Sequence, residues 1–214
     1  AMKVVEMVFE QRLRDMVNID EMQCGFTPGK GTTDAIFIVR QVQERFSEKG
    51  KSLYYAFVDL EKAYDRVPRE VTRWAMRKLG VDEWLVAAIM ALYEEAWTVV
   101  RTEDGDSEGF EVKVGLHQGS VLSPLLFLIV MEAVTSDVRG GLPWELLYAD
   151  DLVLMAESME ELLEKLRKWK EAMESKGLRV NVSKTKVMMG GLGRTEQESG
   201  RFPCAMCKRG VGRN

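Results

Sequence analysis

Two adjacent carboxylates, Asp150 and Asp151, sit between two apolar runs, Trp144 to Ala149 and Leu152 to Ala156. An apolar run, a charged pair and a second apolar run read as a β-hairpin with its acids at the bend. Buried flanks would hold those acids rigidly at the edge of a core. A third carboxylate, Asp59, closes a separate strand-like run from Leu53 to Val58. Three acids at the ends of buried strands suit hard divalent cations, which take oxygen ligands. Alone, the Asp-Asp pair reads first as an ordinary turn, and Asp59 has the alternative of an ordinary strand-end cap.

The elements that must position these acids are mixed helices and strands. Residues Val4, Val5, Val8, Phe9, Leu13 and Met16 form a helical pattern with no cap before it. Gly29-Lys30-Gly31-Thr32 reads as a loop, with Thr32 or Thr33 capping a helix that runs to about Lys49. The strand ending at Asp59 follows. Pro68 opens a helix with apolar residues Val71, Trp74, Ala75 and Leu79, stopped by Gly80. Asp82 caps another, expected to reach about Ala96. Thr98 to Thr102 and Gly109 to Val114 flank a turn-rich stretch and read as a hairpin. Ser123-Pro124 reads as an N-cap and first-turn proline opening an apolar, buried helix to about Val134.

Beyond the Asp-Asp hairpin, Ser158 and Glu161 form a capping box. The helix they open carries Met159, Leu162, Leu163, Leu166, Trp169 and Met173 on one face and ends at Gly177. Leu178 to Val182 and Thr185 to Met189 are candidate final strands. Tight strand–helix–strand alternation is rare in this pattern, which favours an α+β fold: an antiparallel sheet with helices on one face.

Composition narrows the class. A chain of 214 residues, 46% hydrophobic and 30% charged, has the make-up of a globular domain, or a domain with a short appendage. No apolar stretch approaches the roughly 18 to 20 residues of a membrane span, so no membrane partner is expected. No basic-then-apolar leader opens the sequence. Three cysteines do not make a disulfide framework, which points to a reducing, intracellular compartment. Cys204 and Cys207 form half of a zinc site, and no second pair follows. The net charge of −4 is unevenly spread: 13 basic and 5 acidic residues after Leu163 give +8, leaving −12 before it. A basic C-terminal region beside an acidic body leaves nucleic acid open as a partner, because phosphate binding depends on local charge. An ordinary solvated helix face would carry the same lysines.

Three longer segments carry a resemblance. Phe57 to Val67 (Phe-Val-Asp-Leu-Glu-Lys-Ala-Tyr-Asp-Arg-Val), Gly115 to Pro124 (Gly-Leu-His-Gln-Gly-Ser-Val-Leu-Ser-Pro) and Leu147 to Asp151 occur in that order. Together they resemble the palm motifs of reverse transcriptases, in the flavour of the non-LTR (LINE-type) retrotransposon branch. Gln23 to Lys30 with Thr33-Asp34-Ala35 resembles that branch's segment at the base of the fingers. Gly177-Leu178 with Asn181 and Lys184-Thr185-Lys186 resembles the segment after the active-site hairpin. The resemblance covers about residues 1–190, as a palm with partial fingers and no thumb. It leaves 191–214 as an irregular basic tail ending in a severed cysteine finger. Group II intron and retron enzymes are the nearest rivals, and a nucleotide cyclase a more distant one. A truncated or domesticated nucleic-acid-binding fragment without catalysis is the rival from another class.

What the resemblance implies is RNA-directed DNA polymerisation. The substrates would be an RNA template, a DNA primer with a free 3′ hydroxyl and deoxynucleoside triphosphates, and the site of action the nucleus. Strand extension builds charge on the entering and leaving oxygens of an α-phosphate. Two Mg²⁺ ions, with Mn²⁺ as the alternative, would stabilise both from roughly 3.5 to 4 Å apart. Asp59 and Asp150 are the expected bridging ligands, Asp151 a supporting one, and the backbone carbonyl of Leu60 completes the set. Tyr64 falls where the family places an aromatic beneath the incoming sugar, where a rigid ring would collide with a ribose 2′ hydroxyl. A buried core tyrosine is the plain alternative. Gln118 can hydrogen-bond substrate and Gly119 lets the backbone approach it closely. Lys30 is a candidate triphosphate contact. Lys184 and Lys186 are candidate contacts to primer or template phosphates. His117, the only histidine, has no acid partner in sight and reads as a packing residue rather than a general base.

Overall fold

The computed structural model describes residues 2–94, 96–103, 105–141 and 143–190, so the basic tail with Cys204 and Cys207 lies outside the described residues. Helices α1 (Met2–Met16) and α2 (Thr32–Glu48) precede strand β1 (Leu53–Val58). A single turn, α3 (Ala63–Arg66), and helices α4 (Arg69–Lys78) and α5 (Glu83–Ala91) follow. The next hairpin is paired in two stretches, β2 (Trp97–Thr98) with β5 (Phe110–Glu111) and β3 (Arg101–Thr102) with β4 (Gly105–Asp106). Helix α6 (Ser123–Thr135), strands β6 (Glu145–Tyr148) and β7 (Asp151–Ala156), helix α7 (Met159–Glu174) and strand β8 (Lys186–Gly190) come last.

Four strands form one antiparallel sheet in the order β6-β7-β1-β8. Alternation along β1 sends Tyr54, Ala56 and Val58 to one face and Leu53, Tyr55 and Phe57 to the other. The first face meets the main core, built with α4, α5, α6 and α7. Helix α6 is apolar all round and lies in the middle of that core, as such a helix must. Helix α7 packs through Leu162, Leu166, Trp169 and Met173, the stripe its periodicity predicts. Its first turn is capped by Ser158, whose Oγ accepts the Glu161 N–H at 3.2 Å. The reciprocal Glu161 carboxylate takes the N–H of Glu157 rather than that of Ser158.

The sheet is not covered on one face only. Val42 of α2 packs with Leu53, Tyr55 and Met155 on the second face, joined by Val39, Phe46 and Trp144. This helix reaches only part of that face, and Phe57 stays 37% exposed. Several local readings are corrected too. Helix α2 is opened by Gly31, whose N–H donates to the Asp34 carboxylate at 2.7 Å, and not by a threonine. Ser123 lies inside α6, where its hydroxyl donates to the His117 carbonyl, so it does not cap. Helix α5 ends at Ala91, short of Ala96. Leu178–Val182 is not a strand: one bridge, Val180 with Leu60, is all it contributes before a turn. In α1 the valines point outward, and Glu6, Phe9 and Leu13 make the inward face. Glu6 turns inward because its carboxylate accepts the Val121 N–H at 2.9 Å. Among the described residues no helix is long and apolar enough to cross a membrane.

Glu145 opens β6 almost without exposure. One carboxylate oxygen accepts the Gly140 N–H at 2.9 Å, while the other is buried with no partner. Burial holds its carboxyl above the ordinary glutamate value of 4.5, against the pull of the Gly140 bond and of Lys165 and Arg139. Below that value both folded and unfolded chains are protonated and nothing is lost. As pH rises through it, the unfolded chain ionises first, and the folded state loses ground until its own pKa is passed. Glu145→Gln is therefore expected to gain stability relative to the wild type as pH is raised from about 4 toward neutrality, by urea denaturation. A gap between the two that does not move with pH would contradict this.

Candidate active site

The register of the central strands does the first part of the construction. Val58 stands opposite Leu152, so one step further along the ladder Asp59 faces Asp151. On the other side of β1, Phe57 pairs with Lys186, and the same extension leads from Asp59 to Lys184. By alternation Asp59 and Asp151 share the face of Phe57 and Val153, the incompletely covered one. Beside them an open apolar cavity of about 200 Å³ is lined by Ile36, Val39, Phe57, Leu146 and Tyr148, with Asp151 at its edge. Asp150 sits in the two-residue turn between β6 and β7.

Electrostatics follows from this crowding. The Asp151 carboxyl is pushed up, first by burial of its surroundings although the side chain reaches solvent, then by the charges of Asp150 and Asp59. Lys184 opposes the shift. Its ammonium lies 3.6 Å from Asp59 Oδ2, an oxygen that is itself buried without a hydrogen-bond partner. Leu60 is tied to Val180 by two backbone bonds, Asn181 N–H to the Asp59 carbonyl and Glu61 N–H to the Arg179 carbonyl, both 2.8 Å. That bridge leaves out the Leu60 carbonyl.

The donor set fits a hard cation: carboxylates, a backbone carbonyl, and one orphaned buried oxygen. As the side chains stand, no three acids, imidazoles or thiols among the described residues converge on one metal-sized point. Mg²⁺ does not require such a cage, because it keeps several waters and is bound through one or two carboxylates plus substrate phosphates.

A second construction joins α3 to the segment before α6. The Leu116 N–H donates to the Tyr64 carbonyl and the Gly115 N–H to the Val67 carbonyl, both at 2.9 Å. Gly115 has φ +93°, and a Cβ there would lie 3.0 to 3.2 Å from the Asp65 backbone, so no side chain fits between the segments. Gln118 is then held by its amide, which donates to Asp65 Oδ1 at 2.9 Å. Gly119 follows with φ +79° and open space around it. Tyr64 lies half-buried, stacked on Phe127 with ring centres 5.0 Å apart. Burial, then the charge of Asp150, pushes its hydroxyl up to about 12, which keeps it a neutral phenol. His117 stacks on Tyr93 at 4.2 Å, and its imidazole is pushed down by burial and by Arg69, a packing role as expected.

A third construction holds the turn itself. Met22 and Cys24 bracket Leu147: Leu147 N–H donates to the Met22 carbonyl at 2.9 Å and Cys24 N–H to the Leu147 carbonyl at 2.8 Å. Gln23 is 2% exposed, and its Oε1 accepts from Ala149 at 2.9 Å and from Gly25 at 2.8 Å. Ala149 is in the left-handed region at φ +58°, which costs a non-glycine residue about 1 kcal/mol. The Lys30 ammonium donates to the Glu21 carbonyl at 2.6 Å. Among the described residues it makes no bond to the three acids.

The structure thus brings Asp59, Asp150, Asp151, Tyr64 and Lys184 within electrostatic reach of one another, with Leu60 next to Asp59 and Gln118, followed by Gly119, tied to α3 through Asp65. Lys186 begins β8 beside them, exposed. Sequence reasoning missed Asp65 and Gln23 as positioning groups. Their residue types gave no local signal, since each acts on a partner 53 or 126 positions away.

A family model described as reverse transcriptase (RNA-dependent DNA polymerase) matches residues 1–204. The retrovirus-related Pol polyprotein from type-2 retrotransposable element R2DM of Drosophila melanogaster is 30% identical over 185 residues, 83% of this chain and 18% of that protein. The polyprotein from type-1 element R2 of Nasonia vitripennis is 26% identical over 186 residues, again 83% and 18%. The chain therefore spans under a fifth of these relatives. Among solved structures, apo telomerase from Candida tropicalis truncated from its C-terminal domain superposes with a TM-score of 0.67 at 18% identity, covering 90% of this chain and 41% of that one. Candida albicans telomerase in complex with a fragment of telomeric RNA gives 0.64 at 16%, covering 92% and 35%. These two establish a shared fold.

Gly25 is the most demanding position of the turn-holding segment: a Cβ there would fall 2.3 Å from the Ala149 nitrogen and 2.8 Å from the Tyr148 carbonyl carbon. Backbone cannot yield as a side-chain tip does. Gly25→Ala should therefore destabilise the fold by about 2 to 4 kcal/mol in urea denaturation. A loss below about 0.5 kcal/mol would mean the turn is not packed against this segment.

Proposed function

The chain belongs to the reverse transcriptase (RNA-dependent DNA polymerase) family, on its non-LTR, LINE-type branch, and from that premise we propose that it is the nucleotidyl-transfer centre of an RNA-directed DNA polymerase. Its substrates are an RNA template, a DNA primer and deoxynucleoside triphosphates. The primer's 3′ oxygen bonds to the α-phosphorus of the incoming nucleotide as the bond to pyrophosphate breaks. The observation that carries this reading is the buried Oδ2 of Asp59, which has no hydrogen-bond partner and only the Lys184 ammonium 3.6 Å away, on an open sheet face beside two further acids.

Asp59, Asp150 and Asp151, with the Leu60 carbonyl, are the residues that would hold divalent cations. Bound Mg²⁺ would supply positive charge to the oxygens entering and leaving the phosphorus. The chain's own residues do the rest. Asp59 and Asp151, fixed by the ladder, keep two anionic ligands in place without rearrangement. Tyr64, braced on Phe127, sets a rigid ring under the sugar and excludes a 2′ hydroxyl. Gln118, oriented by Asp65, presents its remaining polar atoms to the nucleotide, and Gly119 leaves room for backbone approach. Lys184 neutralises part of the acid cluster in the free chain and is well placed to meet nucleic-acid phosphate together with Lys186.

The direct test is templated primer extension with Mg²⁺ on RNA and DNA templates. Asp150→Ala should lose extension by roughly a thousandfold or more, the several kcal/mol that a metal contributes, while its far-UV dichroism stays that of the wild type. Undiminished extension by a folded Asp150→Ala would refute the assignment. Tyr64→Ala should relax discrimination against ribonucleotides by roughly 10- to 100-fold, the scale of a single steric exclusion. Unchanged discrimination would remove Tyr64 from the sugar gate.

A further inference from the structure

The turn that carries Asp150 is conformationally unfavourable, and what holds it comes from far away in the chain. Ala149 is left-handed at φ +58° with no glycine to ease it, and it is 5% exposed, so water does not stabilise its N–H. That N–H has one hydrogen-bond partner, the Gln23 side-chain oxygen at 2.9 Å. The same oxygen accepts from Gly25 at 2.8 Å, so the amide is oriented from its own loop while it grips the turn. The Thr27 hydroxyl donates back to the Gln23 carbonyl at 3.0 Å and closes the loop. At its other end the loop is anchored to helix α6. The Asp20 N–H donates to Glu132 Oε2 at 3.2 Å, and Arg139, itself little exposed, pairs with Glu132 at 2.9 Å and Asp20 at 3.6 Å.

We propose that Gln23 is a positioning residue for catalysis: its side-chain oxygen holds Ala149 left-handed and so fixes the orientation in which Asp150 meets the divalent cation. This rests on the polymerase reading above. The chemistry of the position follows from its two donors. An acceptor is required, within reach of both N–H groups, inside a space closed to water. Glutamine and glutamate meet that requirement, asparagine falls one methylene short, and methionine fills the volume with no oxygen. The backbone bonds of Leu147 to Met22 and Cys24 do not depend on the side chain and should survive its loss. Removal therefore loosens the turn without detaching the strand.

The test uses the full chain and three readouts. In Gln23→Met, hydrogen exchange at the Ala149 amide should accelerate by about tenfold, one hydrogen bond's worth, while the Leu147 and Cys24 amides keep their protection. Mn²⁺ affinity, followed by electron paramagnetic resonance, should fall by about threefold or more, and kcat for templated addition by roughly 10- to 100-fold with KM for the nucleotide little changed. Gln23→Glu, which keeps the acceptor, should return all three to within about threefold of wild type. Should Gln23→Met fail to fold, Gln23→Asn makes the same loss more gently and carries the same expectations. Faster Ala149 exchange with unchanged Mn²⁺ affinity would overturn the proposal, as would equal defects in Gln23→Met and Gln23→Glu. A wild-type chain that extends no primer would count against the polymerase reading alone, because amide exchange and Mn²⁺ affinity still decide the role of Gln23.

Discussion

The antiparallel register between β1 and β7 is the constraint on which the site depends. Because Val58 faces Leu152, the next pair must be Asp59 and Asp151, and it must emerge on the face of Phe57 and Val153. A slip of β7 by one residue would turn Asp151 toward the main core and away from Asp59. The apolar residues on the other side, Ala56, Val58, Leu152 and Leu154, are all buried there and make such a slip prohibitive. Hydrophobic burial thus fixes the position of charges that would otherwise repel one another apart.

That repulsion is real and local. Burial raises the Asp151 carboxyl, the charges of Asp150 and Asp59 add to it, and Lys184, 3.6 Å from Asp59, opposes them. Such a cluster is stable only when the backbone beneath it cannot relax. Two lacings supply the rigidity. The Gly115–Gln118 segment is bound to the α3 turn by backbone bonds and by the Gln118–Asp65 contact. The Met22–Gly25 segment is bound to β6 and to Ala149. Segments from four separate parts of the chain are thereby held within one small volume. The partial cover from α2 leaves the acids accessible.

Much of this was legible in the residues. The Asp-Asp hairpin followed from two apolar runs and their break, and the α7 stripe and Ser158 cap followed from spacing and residue type. The resemblance supplied the pairing of Asp59 with that hairpin, which periodicity alone left open. Less legible were features decided by tertiary contact. The helical period of α1 was correct, yet a buried Glu6–Val121 bond rotates it so that its valines face outward. The placement of α2 on the second sheet face follows from Val42 meeting Leu53 and Tyr55, which no local pattern encodes. Leu178–Val182 has strand-like composition but is drawn into the turn around Asn181, whose carbonyl takes the Thr185 hydroxyl and N–H. Lys30, a candidate for triphosphate, rests on the Glu21 carbonyl in the free chain, a contact its residue type does not announce. The R2 relatives support the non-LTR branch that the motifs resembled.

The claim beneath the whole account is that Asp59 and the Asp150–Asp151 turn share divalent cations on the open face of the sheet. Anomalous diffraction from crystals of the chain soaked with Mn²⁺ and a deoxynucleoside triphosphate tests it most directly. An anomalous peak in contact with carboxylate oxygens of both Asp59 and Asp150 is the expected result. Mn²⁺ found only at other carboxylates, with Asp59 and Asp150 free of it, would contradict the account.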